Sequence, residues 1–282
     1  FSPSLAVWGL FLGDAASSLD SVLAASLHFT NKEVTGNSKL LNRGKLLLEL
    51  SIPLTLNRVM LNVLQSADAI LIPSKLRLFG LDTNASLGVY GILTGMAMPF
   101  IFFPSALTGS ISVLLLPNIA QAESGHDTVQ LKKNSSFGIQ TSLLVGVLFT
   151  GIFIFYGHQM GTIIFNNDRA GDFIVTLAWL CPFLYLASTL ESMLHGLKEM
   201  TTTFFHNVLA LLIRIFFIWF FVPIFGINGY LWGILVSQIL ITFLHWYKVK
   251  ELTGLSFEPF IWIAKPTFAL FMGLGIDFFI IK

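Results

Sequence analysis

Eight long apolar segments constrain this chain more than any other feature. Each can cross a hydrocarbon core of about 30 Å as a helix that rises about 1.5 Å per residue. A backbone in lipid must satisfy its own hydrogen bonds, and no segment alternates as a strand would, so we predict an all-α polytopic membrane bundle. The segments are approximately 3–28, 46–73, 88–116, 136–157, 173–196, 204–225, 227–247 and 259–281.

The composition supports a membrane protein. The chain is 55% hydrophobic and 11% charged, whereas soluble domains carry about 25% charged residues. The net charge of +1 gives no indication of a nucleic-acid partner. A single cysteine, Cys181, excludes an internal disulfide and a cysteine-rich metal site. Because Phe1 is not Met and enters an apolar segment without a charged region before it, we expect a fragment and no signal peptide.

The basic residues predict the orientation in the membrane. Positive charges concentrate on the cytoplasmic side of membrane proteins. The first, third, fifth and seventh connections are the richer ones, so we place them in the cytoplasm. They hold Lys32, Lys39, Arg43, Lys45, Lys132, Lys133, Lys198, Lys248 and Lys250, against Lys75, Arg77, Arg169 and Lys282 on the other side.

The second segment carries a stripe of polar side chains. Arg58, Asn62 and Gln65 fall within roughly 60° of each other on a helix, and Asn57 and Asp68 lie at one flank. A charged group at bilayer depth costs roughly 2.5–3.5 kcal/mol on insertion scales, so the stripe is expected to face into the bundle or a water-filled cavity. We predict that these five residues bind substrate, together with Asp14 on the serine-bearing face of the first helix.

Other intramembrane features have structural explanations. Glu191 and Arg214 lie on neighbouring antiparallel helices, and we predict that they form a structural ion pair. Close helix contacts are expected at two pairs of small residues, Gly91 with Gly95 and Gly229 with Gly233. Prolines inside the helices predict kinks. These are Pro53, Pro99, Pro104, Pro182 and Pro266.

Signatures of enzymes are missing from the sequence. It has no glycine-rich phosphate loop, no His-Glu-x-x-His and no Gly-x-Ser-x-Gly. The six histidines are dispersed and mostly near helix ends. We therefore expect no catalytic residues, no metal site and no cofactor.

Four sequence blocks together resemble the family of stage V sporulation protein B and related polysaccharide biosynthesis proteins. This family belongs to the multidrug/oligosaccharidyl-lipid/polysaccharide exporter superfamily, in which two six-helix halves face each other around a central cavity. The resemblance covers most of the chain and is weaker over residues 1–39 and after Thr253. The blocks are Leu48–Leu76, Tyr90–Ala122, Leu180–Glu199 and Val222–Gln238.

The resemblance implies a division of the chain. Residues 1–30 would be the last helix of an N-terminal half that is otherwise missing, and residues 31–45 a basic cytoplasmic linker. Residues 46–250 would form the six-helix C-terminal half, and residues 251–282 an additional helix. The expected partners are therefore the missing half, membrane lipids and a lipid-linked sugar.

The implied function is a flippase of the cytoplasmic membrane that exports a lipid-linked oligosaccharide or cell-wall precursor for polysaccharide, peptidoglycan or spore cortex synthesis. Arg58 would meet a pyrophosphate, and the amides would meet sugar hydroxyls. Buried carboxylates keep open an ion-coupled multidrug exporter of the same fold. A membrane-embedded transferase and a non-transporting scaffold for wall synthesis are the alternatives from other classes.

Overall fold

The structure, a computed structural model, describes residues 37–255, with side chains at residue 52 and from residue 55 onward. All regular elements in that range are helical, so the prediction of an all-α fold is confirmed there. The elements are α1 (Asn37–Leu78), α2 (Thr83–Ile92), a π-helical turn (Leu93–Ala97), α3 (Met98–Phe102), α4 (Ser105–Ser124), α5 (Thr128–Phe165), α6 (Asp168–Ala178), α7 (Cys181–Gly196), α8 (Met200–Phe220), α9 (Val222–Phe225) and α10 (Ile227–Thr253).

Some predicted features lie outside the described residues. They include the first and last predicted segments, 3–28 and 259–281, as well as Asp14 and Pro266. Helix α1 begins at Asn37, inside the segment that the sequence predicts as a linker.

Side-chain caps fix where several helices begin. The carboxylate of Asp82 accepts a hydrogen bond from the backbone N–H of Ala85 at 2.8 Å, which starts α2. Asp127 caps α5 in the same way through the N–H of Gln130 at 3.0 Å. Asn166 ends α5 with a left-handed backbone, φ 49°, a conformation that asparagine tolerates better than most residues.

Six helical stretches of the described chain are long and apolar enough to cross a membrane. They are Thr83–Phe102, Ser105–Ser124, Thr128–Phe165, Asp168–Gly196, Met200–Phe220 and Ile227–Thr253. The chain is a multi-pass membrane protein by this criterion.

The first two of these stretches form one kinked rod. Only Phe103 and Pro104 separate them, and both keep helical backbone angles. The rod lies along the span of α6 and α7, with α3 against α6 and α4 against α7. The other rods are α1, α5, α6 with α7, α8 with α9, and α10. The described bundle therefore has six rods, which correspond to predicted segments two to seven.

Two neighbouring rods are broken at the same level of the bundle. Pro104 has no N–H to continue its helix, and the hydroxyl of Tyr185 donates a hydrogen bond to the nearby carbonyl of Ile101 at 2.8 Å. Pro182 likewise deprives the carbonyl of Ala178 of its helical donor, and the Thr150 hydroxyl lies 3.1 Å from that oxygen. The predicted kinks at Pro104 and Pro182 are confirmed, whereas α1 runs through Pro53 without a break.

The apolar interior is divided into two clusters that meet near these breaks. The first cluster contains residues of α1, α2, α3, α6 and the beginning of α10, together with the π-helical turn. The second contains residues of α4, the beginning of α5, the end of α7 and the end of α10. Three hydroxyls form a small polar group beside the second cluster. The Thr189 hydroxyl lies 2.6 Å from that of Ser142 and 3.3 Å from that of Ser112.

Some of the closest helix contacts occur at glycines. Of the two glycine pairs predicted to make such contacts, only one does so. A Cβ on Gly229 would come within 2.5 Å of the Phe221 carbonyl oxygen, and one on Gly233 within 2.6 Å of Phe217, so that pair is confirmed as a close contact. A Cβ on Gly91 or Gly95 would meet nothing within 4 Å. The prediction of a close contact there is wrong for the described bundle, because that face of the rod is turned away from its neighbours.

Candidate functional site

The polar stripe of α1 is divided between two environments. Asn57 and Asp68 are buried, with 8% and 3% of their surface exposed. Asn62 is half-buried, whereas Arg58 and Gln65 are exposed on the outside of the described bundle. The expectation that the whole stripe turns into this bundle is therefore wrong for Arg58 and Gln65, since the flank with Asn57 and Asp68 makes the contacts.

A carboxylate and two amides from three helices form the first polar cluster. The side chain of Asn207 on α8 donates to the Asn57 side-chain oxygen at 2.8 Å. The same amide nitrogen lies 3.2 Å from the Glu191 carboxylate on α7, and the Asn57 amide nitrogen lies 3.5 Å from it. The cluster joins α1, α7 and α8 through hydrogen bonds to one ionisable group.

An arginine, an aspartate and a tyrosine form the second cluster. The guanidinium of Arg214 on α8 lies 3.0 Å from the Asp68 carboxylate and donates to the Tyr230 hydroxyl at 2.5 Å. That hydroxyl donates to the same carboxylate oxygen of Asp68 at 3.0 Å. The second cluster therefore neutralises the buried charge of α1 and connects it to α8 and α10.

These contacts correct the predicted ion pair between Glu191 and Arg214. Glu191 lies opposite Asn207, and Arg214 is two helical turns further along α8. Two turns amount to about 11 Å, which is beyond the reach of a direct pair. Arg214 instead meets Asp68, whose helix runs in the same direction as α8.

Two partners in these clusters were missed from the sequence. Asn207 and Tyr230 stand in strongly apolar stretches and were not singled out. A signal for Asn207 was available, because it precedes Arg214 by seven residues and therefore shares its face of α8. Tyr230 offered no comparable signal, since its hydroxyl becomes important only when α10 is packed against α8.

Histidines and an ion pair lie at the predicted cytoplasmic end of the bundle. The rings of His206 and His245 are 5.2 Å apart, and 1% of His245 is exposed. Lys248 lies 3.8 Å from Glu199 nearby. Within residues 52–255 no group of three or more histidine, cysteine or acidic side chains is arranged to hold a metal ion.

Comparison with known proteins finds that the chain is similar to proteins of bacterial sporulation. Over 214 residues the sequence is 24% identical to stage V sporulation protein B of Bacillus subtilis strain 168, covering 75% of this chain and 41% of the relative. The chain is a relative of stage V sporulation protein B. The resemblance that the sequence blocks predict is thereby confirmed.

The chain is also similar to a second sporulation protein. Sporulation protein YkvU of the same bacterium is 24% identical over 216 residues, covering 75% of this chain and 48% of the relative. The chain thus spans less than half the length of either relative. No protein-family model and no solved structure matches it.

Proposed function

We propose that this chain forms one wall of the transport cavity of an exporter that flips a lipid-linked sugar across the cytoplasmic membrane. Both relatives are named as sporulation proteins, which supports a role in sporulation. We propose that this role is the supply of precursors for the cell wall or spore cortex. The pyrophosphate of such a substrate would meet Arg58, and its sugar hydroxyls would meet amide groups.

The position of Arg58 is the observation that carries this proposal. The chain is a membrane protein, and Arg58 lies near the middle of α1 on the surface of the described bundle. Gln65 is exposed on the same face two turns further on. Because an arginine at bilayer depth is costly in lipid, this face is best satisfied by an aqueous cavity.

The first polar cluster lies beside that face. Asn57 precedes Arg58 directly in the sequence, and its side chain is already bonded to Asn207 and Glu191. In this arrangement Asn57 and Asp68 support the wall from behind, and Arg58 and Gln65 provide its surface. The predicted substrate contacts of Asn57 and Asp68 would then require a rearrangement of the bundle.

The experiment that tests the proposal exchanges Arg58 in cells. The full-length gene carrying Arg58→Ala should fail to complement a strain that lacks it, at normal membrane abundance. Arg58→Lys should rescue in part, since lysine keeps the charge but loses the planar, bidentate fork. Arg77→Ala, an exposed arginine at the end of the same helix, is the matched control and should complement fully.

The results separate the alternatives. Full complementation by abundant Arg58→Ala protein would overturn the phosphate contact, and it is the outcome that a non-transporting scaffold predicts. Loss of abundance together with function would indicate a purely structural role for Arg58. In that case the proposed contact would also be withdrawn.

Ion-coupled export of organic cations remains a second candidate because of Glu191. Its half-buried carboxylate is bonded to two neutral amides and is not paired with an arginine or lysine among the described residues. Such a carboxylate is suited to exchange a cation or proton. This candidate predicts dye efflux that depends on an ion gradient and is lost in Glu191→Gln. Efflux that is independent of the gradient would exclude it.

A further inference from the structure

Two histidines meet near the beginning of α8 and the end of α10, at the predicted cytoplasmic end of the bundle. The ring centres of His206 on α8 and His245 on α10 are 5.2 Å apart. His206 is half-buried, whereas only 1% of His245 is exposed. This histidine pair therefore has one ring that reaches the surface and one that is closed off from it.

The ring nitrogens of the pair are poorly satisfied. Both nitrogens of His245 and the Nδ1 of His206 are buried without a hydrogen-bond partner among the described residues. The Ala187 carbonyl of α7 approaches the His245 ring but does not meet hydrogen-bond geometry. A buried polar atom without a partner costs free energy that it would regain in water. The contact is consequently held less firmly than an apolar contact of the same size.

The fully buried side chains of α8 differ in polarity between its two ends. Those near the histidine pair, Thr203 and Asn207, are polar, and Ile218 lies near the other end. Ile218 belongs to the first apolar cluster, together with the beginning of α10. No residue of α8 belongs to the second cluster, which contains the end of α10. The two apolar clusters therefore join α8 to α10 only at the end away from the histidines.

The described charged and titratable groups around the pair come from α7, from the start of α8 and from α10 itself. Lys248 and Glu199 interact electrostatically with the α8 member of the pair and lie 3.8 Å from each other. His195 on α7 interacts with the α10 member, and in turn with Glu191. Both carboxylates already have partners, Glu199 in Lys248 and Glu191 in the amides of the first polar cluster. A proton added to the pair therefore meets positive charge and little uncommitted negative charge among these groups.

Protonation changes the balance of this contact. A neutral imidazole can stay in the interior, whereas an imidazolium loses its hydration there, and two imidazolium rings in contact repel each other. When α8 and α10 separate at this end, both rings reach water and gain protons freely. The separated form thus binds more protons as the pH falls, so acid favours it.

From this geometry we infer that the histidine pair is an acid-sensitive latch between α8 and α10. The latch is closed at neutral pH, and at acid pH the beginning of α8 moves away from the end of α10. Asn207 follows His206 directly in the sequence, so the movement also displaces one member of the first polar cluster. The latch is a property of the chain itself and does not depend on the proposed function.

Distances between spin labels on α8 and α10 test the latch. The 282-residue chain is placed in lipid nanodiscs, with the buried Cys181 replaced by alanine so that only introduced cysteines are labelled. One pair of labels, on Phe205→Cys and Tyr247→Cys, reports on the latch. A second pair, on Phe220→Cys and Trp232→Cys, reports on the other end of the same two helices. All four positions are exposed.

The distances are compared between about pH 8 and about pH 5, the range in which an unperturbed histidine gains its charge. Acid should lengthen the latch distance by about 5 Å, or add a component of that length, which is half the usual spacing of about 8–10 Å between helix axes. The distance at the other end should stay unchanged. His245→Phe, whose ring cannot be protonated, should stay closed at both pH values. His245→Arg, which is always charged, should be open at both.

Three further variants separate the pair from other titrating groups. His206→Phe should weaken the acid response, because only one ring then gains a proton on opening. His158→Phe removes an exposed histidine near the other end of the bundle and should keep the full response. Glu191→Gln removes the carboxylate beside His195 and should keep the response as well.

Three outcomes would overturn the latch. The first is a latch distance that does not change with pH, or that changes equally at both ends. The second is a full acid response in His245→Phe or, if that variant does not reach the membrane, in His206→Phe. The third is loss of the response in Glu191→Gln, which would assign it to the carboxylate. The measurement contains no substrate, so a working latch in a protein without flippase activity would refute the proposed function alone.

Discussion

The hydroxyl of Tyr185 donates to the carbonyl of Ile101 across two rods that are both broken at this level. The 2.8 Å bond replaces backbone hydrogen bonding that is interrupted beside Pro104. Tyr185 itself is fully buried. The side chain of one kinked rod therefore stabilises the kink of the other.

Replacement of this tyrosine should reveal that role. Tyr185→Phe keeps the ring but leaves a buried carbonyl without its donor, which costs about 1–3 kcal/mol. We expect a lower thermal unfolding temperature of the purified protein in detergent. Tyr247→Phe, at an exposed position of α10, is the control and should unfold as the wild type does. Equal stability of the two variants would contradict the role of Tyr185.

Removing one charge of the ion pair between Asp68 and Arg214 should lower the stability of the protein. Removing both charges together should lower it much less. Asp68→Asn leaves the half-buried guanidinium of Arg214 without its counter-charge. Breaking a fully buried pair costs about 3–5 kcal/mol, which is an upper bound here because a quarter of the Arg214 side chain is exposed. We expect the double variant Asp68→Leu with Arg214→Met to recover much of the lost stability, because neither charge then remains. The measurement is membrane abundance followed by thermal unfolding.

An exposed contact between a histidine and an aspartate provides the comparison for that experiment. His158 and Asp172 are 3.4 Å apart, with side chains 59% and 69% exposed. Asp172→Asn should change stability by less than about 1 kcal/mol. If Asp68→Asn proves as mild as Asp172→Asn, the second cluster is not a buried ion pair in the membrane.

Glycines of α5 and of the rod formed by α2, α3 and α4 should respond oppositely to added side chains. A Cβ on Gly161 would stand 2.1 Å from the backbone nitrogen of Gly171, so Gly161→Ala should force α5 and α6 apart. Gly95→Ala should be tolerated, since its Cβ would meet nothing within 4 Å. Expression and monodispersity of the two proteins measure the difference. A harmful Gly95→Ala would show that another surface covers that face.

Transport should require more than the described bundle. The Arg58 face is open to the outside of that bundle, and a cavity needs an opposing wall. We expect liposomes containing only the 282-residue chain as a monomer not to flip a fluorescent lipid-linked sugar. Flipping by a crosslinked dimer would identify a second copy as that wall, and efficient flipping by the monomer would show the prediction to be wrong.

The sequence predicts the rods better than it predicts their contacts. Long apolar segments and interior prolines indicate helices and kinks, because these depend on local chemistry. The partner of Arg214 depends on which helices run parallel and on their relative height. Sequence proximity favoured Glu191 in the neighbouring helix, whereas the structure selects Asp68.

The same limit explains the division of the polar stripe. Helical periodicity puts Arg58, Asn62 and Gln65 on one face, but it does not say which edge of that face other helices will cover. Asn57 and Asp68 are covered because α8 packs along that edge. Gly91 and Gly95 have the same spacing as Gly229 and Gly233. Only the assembled bundle shows that the second pair contacts a neighbouring helix and the first does not.

The pairing of Asp68 with Arg214 has a consequence for biosynthesis. Helix α1 enters the membrane before α8 has been translated, and during this interval its carboxylate has neither Arg214 nor Tyr230 beside it. On insertion scales an unpaired carboxylate at the centre of a helix costs about 2.5–3.5 kcal/mol. We therefore expect α1 to be held in the membrane more firmly once α8 has been synthesised and Arg214 has reached Asp68.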